Sequence, residues 1–148
     1  MKTITLIQPY ATLVAIGAKK IETRSWQTNY CGPLAIHAAK GFPQWAKDFA
    51  WSPPVSVMLG RDYVYPLGQV VAVCNLVGVW STLLLDKLAA HTVSDQERRF
   101  GDYSHGRFAW MLQNIKALDP PIAAKGSQGF WNWEAEGDIT FAAPRKAS

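Results

Sequence analysis

The stretch Gly17-Ala18-Lys19-Lys20-Ile21-Glu22-Thr23-Arg24-Ser25-Trp26 carries the chain's densest set of groups able to do chemistry. In an extended strand its period of two puts Glu22, Arg24 and Trp26 on one face, and Ile21, Thr23 and Ser25 on the other. A carboxylate, a guanidinium and an indole side by side supply an acceptor, a forked donor and a stacking plate. Those are the parts that hold one unpaired base and its phosphate. Glutamate accepts from a cytosine exocyclic amine, arginine forks onto phosphate or carbonyl oxygen, and tryptophan stacks. Lys19 adds a cation that can neutralise phosphate or sit near a reacting centre. The same pattern also fits a Glu–Arg pair crossing a strand face beside a core tryptophan, with no ligand involved.

The elements that must position these groups follow from periodicity. Met1 to Ile7 alternates apolar and polar residues as a half-buried strand does. Pro9 suits a first helical turn, Tyr10, Leu13, Val14 and Gly17 share one helical face, and Gly17 is a natural stop. Ile21 to Trp26 reads as the next strand, Leu34 to Ala38 as a third, and Gly41 to Trp51 contains a short tryptophan-bearing helix. Residues 52–67 look irregular. The valine-rich Gly68 to Trp80 is the strongest strand, with Asn75 and Gly78 marking bends or bulges. Leu83 to Ala90 and Ser94 to Phe100 read as helical, and Ser94 with Glu97 has the spacing of a capping box. Arg107 to Leu118 is a strand ended by Pro120-Pro121, and Phe130 to Glu134 a short aromatic one. The fold expected is α+β, mainly β: a small, partly open β-barrel decorated by short helices. Residues 1–136 form its single domain and 137–148 a poorly ordered tail.

Composition excludes several classes. The 148 residues carry 15 Lys and Arg against 11 Asp and Glu, are 49% hydrophobic and hold two cysteines. A chain of this length buries a sufficient core without disulfides, and Cys31 and Cys74 form no CxxC. His91 and His105 lack a third ligand at suitable spacing, so neither a metal nor a cofactor is expected. No apolar run approaches the roughly 20 residues that span a bilayer, and the N-terminus is a poor secretion signal. A cytoplasmic protein is expected. Up to residue 48 six basic side chains face two acidic ones, which accounts for the whole net charge of +4, so a field attracting anions starts from the N-terminal segment.

The order of residues adds a family resemblance. Gln8-Pro9-Tyr10-Ala11, then Gly17-x-Lys19-x-Ile21-Glu22-x-Arg24-x-Trp26, then Ala35-Ile36-His37-Ala38-Ala39-Lys40 resembles the ASCH domain, a relative of the PUA RNA-binding fold. Gly101-Asp102-Tyr103-Ser104-x-Gly106-Arg107-Phe108-Ala109-Trp110 and Gly126-x-x-Gly129-Phe130-Trp131-Asn132-Trp133 look like its longer phage and bacterial members. The resemblance implies a PUA-like barrel with a positively charged cleft for RNA or nucleotides. Some members hydrolyse N4-acylated cytidines and others cleave single-stranded RNA. In the deacylating pattern Lys-x-x-Thr-x-Arg, the lysine falls at Lys19 and the arginine at Arg24, but Glu22 stands where the nucleophilic threonine would be. Thr23 is one residue out of step and turns to the opposite face. Glu22 beside Lys19 is instead suited to act as general base on a water.

The same cleft would draw on Lys40 at its rim for phosphate, and on Tyr103 and Arg107 from a polar loop forming its second wall. His37, mid-strand, reads as a hydrogen-bonded wall residue before a base. Three function classes follow: binding of single-stranded RNA or a nucleotide or nucleoside, metal-independent hydrolysis with N4-acylcytidine ahead of RNA as substrate, and a protein-interaction module.

Overall fold

The computed structural model describes residues 1–144, and its sheet is built around the chain's longest valine-rich run. β4 (Gln69–Ser81) pairs antiparallel with β5 (Phe108–Ala123). Branched side chains are stiff and pack well on a pleated surface, which suits this run to the middle of a sheet. β3 (Gly32–Ala38) flanks β4 antiparallel, β1 (Lys2–Leu6) runs parallel to β3, and β2 (Ile21–Arg24) and β6 (Trp131–Asn132) are the edges. The strand order is β2-β5-β4-β3-β1-β6.

This is the α+β, partly open arrangement that the periodicity predicts. No ladder joins β2 to β6 among the described residues. Side chains bridge the opening instead: the Trp26 ring stands edge-on to Trp110 at 4.7 Å and to Phe130 at 5.3 Å between centroids. Arg24 also donates from Nη2 to the Thr5 carbonyl of β1 at 3.3 Å.

The β4–β5 ladder slips between Val73 and Asn75 and between Leu76 and Gly78, where asparagine and glycine interrupt the valines. A further slip opposite Val71 takes β5 from Ala117 directly to Ile122. Pro120 and Pro121 fall inside that bulge, so their missing amides remove no bond to β4, and the strand runs past the end expected at Leu118. The bulge is paired from its other side. Asp119 donates to Thr140 O at 2.8 Å, Ala142 donates to Ala117 O at 2.9 Å, and Ile139 packs in the cluster of Leu118 and Trp133. Within the stretch expected as a loose tail, residues 139–142 thus run back along β5, and residues 145–148 lie outside the described residues.

Helix α1 (Tyr10–Ala15) buries Ala11 and Val14 in the core of the sheet and turns Leu13 into a second cluster with Ala50 and Phe100. Gln8 is fully buried, accepts from Thr12 N at 2.9 Å and donates to Pro66 O at 2.9 Å, serving an amide in the helix's first turns. Gly17, at φ +79°, ends the helix as expected and sends Lys19 inward beneath it. Helix α2 (Gln44–Ala50) follows β3, and α3 (Val55–Leu59) lies in the segment that looked irregular. Its Val55 is fully buried in the cluster of Leu13 and Phe100. Helices α4 (Thr82–Ala89) and α5 (Asp95–Arg99) precede β5. Ser94 caps α5 by accepting from Glu97 N at 3.1 Å, but the Glu97 carboxylate goes to β2, so only half of the capping box forms. Among the described residues no helix is long and apolar enough to cross a membrane.

Candidate functional site

The turn after α1 drives Lys19 to zero exposure, where its ammonium donates to the carbonyls of Ile21 and Phe100 and lies 3.6 Å from Glu22 Oε1. A buried ammonium is tolerated only with such a full set of oxygens. Burial pushes its pKa down, and Glu22 and Glu97 oppose that shift. Glu97, almost as buried, accepts from Lys20 N at 3.0 Å and from Ile21 N at 3.1 Å, fastening the start of β2 to α5.

From this base Glu22 and Arg24 rise on the same side of β2, as their parity requires, while Ile21 and Thr23 are buried. Arg24 Nη1 donates to Glu22 Oε2 at 3.3 Å, so the carboxylate is held between two cations. The guanidinium also lies over the rings of Trp26 and Trp110 at 5.6 and 5.9 Å, which leaves its buried Nε without a hydrogen-bond partner among the described residues. Burial lowers the Arg24 pKa, opposed by Glu22.

Both groups open onto a cleft of about 450 Å³ between the end of β1, α1, β2 and the loop before β5. Arg107 lines its far wall, donating to the Asp102 carbonyl at 3.2 Å and to Thr23 O at 3.1 Å. Hydrogen bonds from Ser104 hold the neighbouring Asp102 carboxyl below its ordinary pKa, with Arg107 adding to the effect. Tyr10 lines the near wall, and burial and then Glu22 raise its phenol pKa, which keeps it a donor. Trp45 of α2 lines the cleft at 57% exposure.

The residues read from the sequence therefore divide. Glu22, Arg24 and Arg107 meet in the cleft. Lys19, expected to neutralise phosphate or sit near a reacting centre, touches Glu22 from beneath and has no open surface. Trp26 lies beyond the end of β2 and packs edge-on to Trp110 and Phe130 as a supporting wall. The Tyr103 hydroxyl is buried, without a hydrogen-bond partner among the described residues and with its pKa raised by that burial, so it backs the cleft without lining it. Lys40 lines a second cavity that adjoins the first at Arg24. His37 is buried as expected, between Thr5 Oγ1 at 3.1 Å and Ala124 O at 2.7 Å. Among the described residues no three His, Cys, Asp or Glu side chains are grouped to hold a metal.

Trp45 is the cleft residue that sequence reasoning missed. One signal was available: Ala46, Phe49 and Ala50 define the inward face of α2 at helical spacing, and Trp45 lies off it. A large aromatic outside the packing stripe is a surface group needing a reason.

An open α+β sheet whose edges curl together beside a charged cleft defines the class of protein. Residues 4–122 match the model of the ASCH domain, and the chain belongs to that family. Its fold is similar to that of the ASCH protein of Zymomonas mobilis, with a TM-score of 0.52 at 15% identity, covering 91% of this chain and 87% of that one. A serine-to-alanine variant of that protein gives a TM-score of 0.51 at 17% identity, over 91% and 88% of the two chains. Such identities speak for the fold alone. Among curated proteins none matches the sequence.

Proposed function

We propose that this ASCH domain binds one unpaired base of a single-stranded RNA, or of a free or modified nucleotide, in the cleft above Glu22 and Arg24, and that it does so in the cytoplasm. The observation that carries the reading is an exposed tryptophan, Trp45, on a cleft that also presents a carboxylate–guanidinium pair. Tryptophan gives a base a stacking face. Each Glu22 oxygen keeps lone pairs beyond its ion-pair contact and can accept from an exocyclic amine. Arg24 and Arg107 are the basic side chains lining the cleft, suited to carbonyl or phosphate oxygen. Lys19 is a positioning residue that fixes Glu22 from below.

The resemblance also implied an amidohydrolase or ribonuclease, and the geometry gives it less support. The Lys19 ammonium is engaged by protein oxygens, and the Thr23 hydroxyl accepts from Asp102 N at 3.0 Å. The test is to titrate cytidine monophosphate and a short single-stranded RNA, following tryptophan fluorescence in rising salt, and to incubate the protein with N4-acetylcytidine and labelled RNA with and without chelator. Saturable binding that weakens in salt and on Arg24→Ala, and loses roughly 1–3 kcal/mol on Trp45→Ala, supports the reading. Turnover abolished by Glu22→Gln would replace binding by hydrolysis as the function. Absence of both would leave the protein-interaction module.

A further inference from the structure

The cleft is not the largest opening on the molecule. A cavity of about 1130 Å³ adjoins it, and the two share Thr5, Ile7 and Arg24 as lining residues. Single small-molecule sites run to roughly 300–1,000 Å³. The first cavity suits one base, while the second is larger than one such ligand needs.

The charged side chains on its lining are Arg24, Lys40 and Lys125, with no carboxylate among them. The sheet sets where the lysines stand. Lys40 follows the end of β3 and Lys125 the end of β5, and both strands run antiparallel to the β4 that lies between them. Gly68 at the start of β4 donates to Ala38 O at 2.9 Å and accepts from Ala124 N at 3.1 Å, so all three strand ends lie together. Two strand spacings separate the backbones carrying the lysines, roughly 10 Å. Both side chains are exposed.

The loop from Lys125 to Gly129 forms one wall. It is fastened where His37 Nε2 meets Ala124 O, and Gly126 sits so close to His37 that a Cβ there would meet the ring at 2.6 Å. None of the backbone amides of residues 125–130 donates to a protein acceptor among the described residues. Unpaired amides beside lysines are what phosphate oxygens bind.

Resting on the base-binding reading of the cleft, we infer that this second cavity is the backbone track for the neighbouring nucleotides of a single strand. The ligand is then an oligonucleotide crossing from one cavity to the other, and Arg24 stands at the crossing. An acidic peptide would also meet Lys40 and Lys125. The cavity's continuity with a cleft that presents the exposed Trp45 ring favours a nucleic acid.

The test measures binding of 5′-phosphorylated oligocytidylates from one to six nucleotides, by fluorescence anisotropy or calorimetry, to the wild-type chain and to Lys40→Ala/Lys125→Ala. Affinity should rise by about tenfold or more over the first few added nucleotides and then level off. The double variant should remove most of that gain and lower the salt slope by about 1.4, two phosphate contacts at about 0.7 each. It should leave mononucleotide affinity within about twofold, and the exposure of both lysines predicts an unchanged melting temperature. A hexamer binding no tighter than the mononucleotide, a double variant that weakens both alike, or a polyglutamate peptide competing as well as RNA would each overturn the track. In the first case, mononucleotide binding that still depends on Trp45 keeps the cleft reading intact. Length-dependent binding indifferent to Trp45→Ala would keep the track and sink the cleft. Failure of every ligand to bind would sink both.

Discussion

Lys19 and Glu97 do their work below the cleft floor, and their replacement should be read first as a stability experiment. Removing the Lys19 ammonium orphans two carbonyls and leaves Glu22 with Arg24 alone. Lys19→Ala should destabilise by about 3–5 kcal/mol in urea unfolding, the range for breaking a buried pair from one side. Loss of binding without loss of stability would instead make Lys19 a ligand group. The parity of Glu22 and Arg24 was legible because both lie on one strand with a period of two. The burial of Lys19 was not, since one of its acceptors, Phe100 O, lies 81 residues away in sequence. His37 supplies a second residue-scale prediction. Burial pushes its pKa below the ordinary 6.5. The folded state therefore takes up this proton at a lower pH than the unfolded chain does. The stability that the neutral ring contributes is complete above about pH 6.5 and is lost as pH falls from there toward the folded value. The difference in urea midpoint between wild type and His37→Gln should shrink over that window. A difference independent of pH would show that the ring takes up its proton at the same pH in the folded and unfolded states.

At the scale of elements, the sequence announced its strands better than their ends. The valine run, the bends at Asn75 and Gly78 and the stop at Gly17 follow from local chemistry, and all three stand. Pro120-Pro121 misled because a proline pair breaks a ladder only where its amides are needed, and here β5 bulges at that point. The missing information was the partner: residues 139–142 come back to the bulge, which nothing in the local pattern of β5 foretells. Helix α3 escaped notice because five residues are too few for a period, and Val55 is held there by distant Leu13 and Phe100. The loop after β5 gives this scale its prediction. Gly126→Ala forces a Cβ into the His37 ring, whose position is fixed by Thr5 and Ala124, so the loop must yield. A loss of about 1–3 kcal/mol is expected, with faster proteolysis near residues 125–129. An unchanged melt would mean that His37 swings aside at no cost.

Across the whole molecule, charge and closure are assembled from both ends of the chain. The net charge lies in the first third of the sequence, but the cations that face the two cavities come in pairs: Arg24 and Lys40 from the early strands, Arg107 and Lys125 from either end of β5. Charge counting pointed to the first pair and the family resemblance to Arg107, whereas Lys125 is brought beside them only by folding. Closure works the same way. Trp26 follows β2, Phe130 precedes β6, and their rings meet on Trp110 in place of a backbone ladder. β6 itself pairs with β1 at only two positions, whereas β4 and β5 run together along the centre. Local opening should therefore begin at the two edges. In hydrogen exchange, amides of β6 and β2 should exchange first and those of Val71 to Cys74 last. Phe130→Ala removes the ring that touches both edges, so it should quicken exchange in β2 and β6 together, severalfold, while the central ribbon keeps its protection. Faster exchange in β6 alone would show that the two edges open independently. An equal rise in every strand would mean that Phe130 supports the global fold and not the closure that shapes the cleft.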